Sequence, residues 1–170
     1  AIAGPLRSLT PEGWTLLPDA DYDRPGFDVT PDHPAVGIWA FDAYLFTHWL
    51  TWTERREGRI GPEDRYRMPH FAEWNAAAVD GGETRPTGNF AGPEAADAAW
   101  PASRPTDSTA DPFPRTAPVM SFPPNSLGLH DIAGNVNECL VSRPMVDRQG
   151  RRGDVRLAVI GGSWADPAEK

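Results

Sequence analysis

The string APVMSFPPNSLGLHDIAGNVNE, residues 117–138, decides how this chain is read. Its second half spaces oxygen donors closely: Asp131-x-x-Gly134-x-Val136-x-Glu138 sets two carboxylates around a glycine-containing turn, so several oxygens can converge within eight residues. Calcium is a hard cation that takes six to eight such oxygens, mixing carboxylates, amides and backbone carbonyls. The spacing is not that of an EF-hand loop, which needs twelve residues with a different ligand order. On spacing alone, a turn or cap role for Asp131 and a solvated strand position for Glu138 stand as the other reading. The run Glu138 to Val141 that follows suits a short strand, as does Val155 to Ile160, each bounded by turn residues.

Upstream, Phe41, Tyr44, Leu45, His48, Trp49 and Trp52 recur at steps of three and four, which predicts a helix over about 40–57 stopped by Gly58. Pro69 in a first turn, then Phe71, Trp74 and Ala78 on one face, predict a second helix ended by Gly81-Gly82. By this periodicity most of the seven tryptophans belong to a core. His48 lies on the apolar face of the first helix and reads as a core histidine. His33, His48, His70 and His130 lack the spacing of a zinc or iron site. Residues 1–33 carry closely spaced prolines and read as an irregular arm anchored by Trp14, Tyr22 and Phe27. Residues 83–118 are small, polar and proline-rich; they are either disordered or a long loop held by something other than a core, such as a metal. The sum is an α+β domain with two helices, a small sheet and a large share of loop.

Composition narrows the function. Proline (19) and glycine (16) are too frequent for a helical bundle or coiled coil. The net charge of −8 leaves no basic footprint, so no nucleic-acid partner is expected. No apolar run approaches the roughly 20 residues of a membrane span. Cys139 is the single cysteine, which removes an internal disulfide and a thiolate zinc cluster, and reads as a small buried apolar residue. No dinucleotide, P-loop or G-x-S-x-G signature occurs. No targeting signal is visible, and a cytoplasmic location is the expectation.

The strings HPAVGIWAFDAYLFTHWL (33–50), YRMPHFAEWNAAAVDGG (66–82), GNFAG (88–92), residues 117–138 and VIGGSW (159–164) follow one another in the order and approximate spacing of a single family. Together they resemble the formylglycine-generating enzyme, or sulfatase-modifying factor, family, whose domain is a variant of the C-type lectin fold. The resemblance covers about residues 33–166 of a single domain spanning 1–170. It implies two helices on a small twisted antiparallel sheet, with long ordered loops. It also implies calcium at Asn89 with the Phe90 carbonyl and Asp111 with the Phe113 carbonyl. A second calcium site is implied at Asp131, the carbonyls of Gly134 and Val136, and Glu138. The family's N-terminal β-rich portion and its C-terminal strand have no counterpart in this string.

Departures from the family pattern bear on activity. Active members carry two cysteines shortly after the GGS motif, which bind copper and activate oxygen to oxidise a substrate cysteine. Here Gly161-Gly162-Ser163 is followed by Trp164-Ala165-Asp166; the first cysteine position falls near Asp166 and the second at or beyond Lys170. Soft Cu(I) wants soft ligands and a carboxylate is a poor substitute, so no copper is expected. The family's aromatic and basic positions are also exchanged: V-S-W becomes Ile38-Trp39-Ala40, W-E-W becomes Asn137-Glu138-Cys139, and the arginine before G-G-S is Ile160. Trp39, Asn137, Trp164 and Asp166 are therefore the candidate ligand-binding positions of a reshaped groove, of the kind used by variable display proteins on this fold; neutral drift in an inactive branch is the bland equivalent. The function expected is a calcium-stabilised module for a small-molecule, peptide or protein ligand. The alternative is a fragment of an oxidative or sulfur-transfer enzyme whose catalytic residues lie outside the chain, including the iron-dependent sulfoxide synthases with their separate histidine-bearing bundle. With a sulfatase-type C-x-P-x-R peptide and copper, the 170-residue chain should yield no formylglycine by mass spectrometry, and turnover of the peptide would refute that expectation.

Overall fold

The computed structural model describes residues 6–78, 87–98 (backbone only for 96–98), 101, 110–141 and 157–168. Along the chain run β1 (Leu6–Thr10), β2 (Gly13–Leu17), α1 (Ala40–Arg56), α2 (Phe71–Ala78), a 3-10 helix at Pro93–Ala98, β3 (Glu138–Val141) and β4 (Leu157–Ile160). β1 pairs with β2 antiparallel, Leu6 opposite Leu17 and Thr10 opposite Gly13, and β3 pairs with β4. Cα proximity gathers the described residues into two compact units. The first draws on 1–37, 77–138 and 161–170, the second on 38–76 and 139–160.

The N-terminal arm opens on a hairpin over residues 6–17, which corrects the expectation there, and among the described residues is irregular only over 18–33. Pro11 falls in the turn between two five-residue strands rather than inside either one, and Gly13 takes φ +107°, a conformation open to glycine. Leu9 turns inward and packs with Trp164, Ala165 and the ring of Phe27 as the apolar core of the first unit.

α1 ends where the sequence places its end. Gly58 sits at φ +70°, its N–H donating to the Arg55 carbonyl at 3.1 Å while Arg59 N–H donates to Glu54 at 2.9 Å, the two bonds of a Schellman cap. Its apolar stripe is another matter. No residue of α1 is buried, and Phe41, Tyr44, Leu45, Trp49 and Trp52 are all exposed. The assignment of the tryptophans to a core is thus corrected for Trp14, Trp39, Trp49 and Trp52. Periodicity identifies which residues share a face; it does not supply what covers that face. His48, exposed on the same helix, is likewise not a core histidine.

α2 begins with one half of a capping box, the acidic side chain reaching back to the main chain before the helix. Glu73 accepts the His70 N–H at 2.8 Å and a two-pronged bond from Arg67, both arms 2.7 Å, and Arg67 holds its carboxyl down at about 2. The other end of α2 lies at the edge of the described residues, so the Gly81-Gly82 stop falls outside them.

The Gly58 cap gives a clean test. A Cβ there meets nothing within 4 Å, so Gly58→Ala costs only the left-handed backbone, about 1 kcal/mol. The urea midpoint should fall by that cost divided by an unchanged m-value, and an unaltered midpoint would show that the cap does not limit stability.

Candidate functional site

The first unit is organised by side-chain amides more than by apolar mass. Asn135, 2% exposed, donates from Nδ2 to the Ala117 carbonyl at 3.1 Å and accepts the Ala117 N–H on Oδ1 at 2.9 Å, as a neighbouring strand would. Its own N–H donates to the Asn89 carbonyl at 2.7 Å, and its carbonyl accepts from Trp164 N–H at 2.9 Å. Asn89, fully buried, donates from Nδ2 to the Arg115 carbonyl at 2.7 Å. The backbones here nearly touch. Gly134, at φ +76°, packs its Cα against the Asn89 main chain, where any Cβ would collide, and its N–H donates to the Gly161 carbonyl at 2.9 Å.

Around this knot the eight residues proposed for calcium fall into two clusters. In the first, Asp111 bridges the loop ends: Oδ1 accepts Phe113 N–H at 2.8 Å and Oδ2 accepts Phe90 N–H at 3.2 Å. Asn89, Phe90, Asp111 and Phe113 therefore meet although the chain separates them. Burial pushes the Asp111 carboxyl up, the two backbone bonds pull it down, and the Glu94 charge adds to the rise. Glu94 accepts the Gly92 N–H at 2.8 Å and the Asp111 N–H at 3.3 Å. Asn89 Oδ1 is buried with no hydrogen-bond partner among the described residues.

In the second cluster, Asp131 takes φ +53° and Asn135 φ +59°, left-handed conformations that Asp and Asn tolerate better than most residues. With Gly134 between them, the loop curls tightly. Asp131 Oδ2 accepts Met120 N–H at 2.6 Å, while Oδ1 is buried and has no hydrogen-bond partner among the described residues. The Glu138 carboxylate stands where a Cβ on Gly161 would be, so Gly134 and Glu138 both abut that glycine; Val136 is half-buried between them in sequence. Among the described residues no three His, Cys, Asp or Glu side chains converge, so an ion at either cluster would need main-chain carbonyls beside the side-chain oxygens. That donor set suits a hard cation.

The four groove positions divide differently. Trp39 precedes α1 at 62% exposure, and Asn137 is exposed just before β3. Trp164 is only 6% exposed, its ring edge-on to Phe27 with centroids 5.7 Å apart and the Arg115 guanidinium 4.8 Å from its centre. It is a core ring rather than a groove wall, which corrects that expectation; the T-shaped packing and the cation above it account for the burial. Asp166 is half-buried in its own turn, accepting the Ser163 hydroxyl at 2.8 Å and lending its carbonyl to Ala91 N–H. Cys139 is half-buried on β3. Sequence reasoning passed over Asn135 and Arg115; the left-handed Gly-Asn pair inside Gly134-Asn135-Val136 was the available signal for the first.

A model of the sulfatase-modifying factor enzyme 1-like domain matches residues 14–170. The chain belongs to this family. This sulfatase-modifying-factor domain is 32% identical over 145 residues to the formylglycine-generating enzyme of Thermomonospora curvata, covering 78% of the chain and 43% of that protein. It is 36% identical over 165 residues to the inactive C-alpha-formylglycine-generating enzyme 2 of Mus musculus, covering 92% of the chain and 47% of that protein. The chain thus spans less than half the length of these relatives. Of solved structures, CarF superposes with a TM-score of 0.51 at 28% identity, over 79% of this chain and 57% of that one. PvdO from Pseudomonas aeruginosa gives 0.55 at 24% identity, over 85% and 55%, a likeness of fold. The α+β, C-type-lectin-like architecture of the sulfatase-modifying-factor type holds.

The raised Asp111 carboxyl makes a pH prediction for calcium-free protein. A carboxyl whose folded value lies above its ordinary 3.8 favours the folded state less as pH climbs past that value, because ionising it then costs more in the fold than in the open chain. In chelator, urea midpoints should move in favour of Asp111→Asn over the parent as pH rises from acid toward neutral. A parent-to-variant difference that is flat with pH would contradict the burial argument.

Proposed function

We propose that this domain is a calcium-stabilised binding module of the sulfatase-modifying-factor family that does not itself run copper–thiol oxidation. The observation that carries the calcium reading is the pair of buried oxygens without hydrogen-bond partners, Asn89 Oδ1 and Asp131 Oδ1, one in each candidate cluster. A buried acceptor left unsatisfied costs about 1–3 kcal/mol, and a cation at each implied site would satisfy one such oxygen. A cation supplies what the chain lacks there: positive charge among acids in a domain of net charge −8, and a cross-link between loops that bury little apolar surface. Asn89, the Phe90 carbonyl, Asp111 and the Phe113 carbonyl would hold one ion; Asp131, the carbonyls of Gly134 and Val136, and Glu138 would hold the other. Calcium brings no redox chemistry; its role is to fix loop geometry so that a surface keeps its shape for a small-molecule, peptide or protein ligand.

The reading without oxidase activity draws on Asp166, which stands near the position of the first copper thiolate and is a poor ligand for soft Cu(I). Similarity to an inactive relative over 92% of the chain is in keeping with it. A second reading, the core of a longer catalytic protein, draws on the curated formylglycine-generating enzymes, of which this chain matches less than half.

Chelation supplies the test. A ligand at a hundredfold excess over its Kd adds about 2.7 kcal/mol, which for a domain of this size is roughly 5–10 °C in Tm. EDTA should lower the Tm by that order, calcium should restore it, and magnesium should restore little because it demands a tighter octahedron. Asp131→Asn, which keeps an acceptor for Met120 N–H, should blunt the response to calcium. Identical melts with and without chelator would overturn the proposal.

A further inference from the structure

The second unit holds a cavity of about 480 Å³ that none of the residues discussed for calcium enters. One wall is α1, where Tyr44, Thr47, His48, Thr51 and Arg55 recur at steps of three and four on one face. The other is the extended segment from Arg65 to His70, with Val141 of β3 closing one end. The walls are tied together. Thr51 Oγ1 donates to the Thr47 carbonyl at 2.7 Å and accepts Tyr66 N–H at 2.9 Å, and Arg55 Nε donates to the Asp64 carbonyl at 2.9 Å. His70 Nδ1 bonds the Val141 carbonyl at 3.0 Å; a carbonyl only accepts, so the ring hydrogen sits on Nδ1.

The lining is unlike the rest of the chain. Acids outnumber Lys and Arg 24 to 16 overall, yet among the described residues the cavity is lined by Arg55, Arg65 and Arg67, with His48 and His70, and by no Asp or Glu. Glu54, Glu73 and Asp64 nearby are already engaged, whereas Glu63, two residues before Arg65, is exposed and outside the lining among the described residues. Glu54 is bonded by Arg59, Glu73 by Arg67, and the Asp64 carboxylate by Gly61 N–H. Among the described residues no carboxylate pairs with Arg55 or Arg65. Two guanidinium groups without counter-ions, facing one cleft, repel each other until an anion joins them, and guanidinium forks match a three- or two-oxygen anion. Tyr44 and Tyr66 add flat apolar surface beside them, and the volume lies within the roughly 300–1,000 Å³ of small-molecule sites.

The geometry points to a binding site for a small aromatic oxyanion, a phosphate monoester, sulfate monoester or carboxylate on a ring, with its charged group on Arg55 and Arg65 and its ring against the tyrosines. The site does not depend on the calcium reading and survives its failure.

Calorimetric titration of the 170-residue chain with phenyl phosphate, phenyl sulfate and benzoate separates the three sources, with benzyl alcohol as the uncharged control. At least one anion should bind saturably, benzyl alcohol should not, and affinity should fall as salt is raised. Arg65 makes no bond among the described residues, so Arg65→Gln should keep the parent's melt while weakening the anion roughly tenfold or more. Arg7→Gln, which removes an exposed arginine of β1 outside the cavity, should leave affinity unchanged. No saturable binding of any of the three anions, equal binding of benzyl alcohol, or an unaltered affinity in Arg65→Gln would each overturn the assignment.

Discussion

A side-chain amide that acts as a piece of strand holds the first unit together. Asn135 exchanges two hydrogen bonds with the backbone of Ala117, and its own main chain bonds Asn89 on one side and Trp164 on the other. Three separate stretches are thereby fixed to one residue. The arrangement needs the left-handed turn at Gly134-Asn135 and the absence of a Cβ at Gly134, because the Asn89 backbone occupies that space. Buried amides of this kind contribute through satisfaction more than through gross strength: once enclosed, each missing partner is a full desolvation cost. The knot is therefore specific, and intolerant of small rearrangement.

That design explains why oxygen chemistry gathers where it does. The apolar core of the first unit is little more than Leu9, Trp164, Ala165 and Phe27, with buried alanines at 91, 95 and 117. Loops on so small a core must be pinned by polar contacts, and the pins draw carboxylates inward: Asp111 between Phe90 and Phe113, Asp131 beneath Met120. Desolvated carboxylates in an acidic chain invite a counter-charge. Arg115 supplies one cation, laid over Trp164 with burial pushing its pKa down, and calcium at the two clusters is the proposed remainder.

Legibility in the sequence followed the range of the interaction. Local signals were readable: α1 and its Gly58 stop, α2 behind Pro69, and the strand at Glu138–Val141 all appear where spacing and turn residues put them. The hairpin at the start was missed because proline density was weighed over proline position; Pro11 belongs to the turn. The stripe on α1 was read as core, yet its rings are exposed, because a repeat of three and four records a face and not its cover. Trp164 erred the other way. Its burial depends on Leu9 and Phe27, more than a hundred residues upstream, which no local window contains. Asn135 was invisible for the same reason, with partners 18 and 46 residues away. The candidate calcium positions were named through family motifs, and the basic cavity of the second unit through none, since its arginines fall on two elements whose proximity only the fold creates.

The most direct measurement is an anomalous difference map from crystals grown in millimolar calcium, collected at a wavelength where calcium scatters anomalously. The account predicts two peaks, one against Asn89 Oδ1 and the other against Asp131 Oδ1, each ringed by six to eight oxygens at about 2.3–2.6 Å. Maps in which both oxygens face only waters, or nothing, would contradict it.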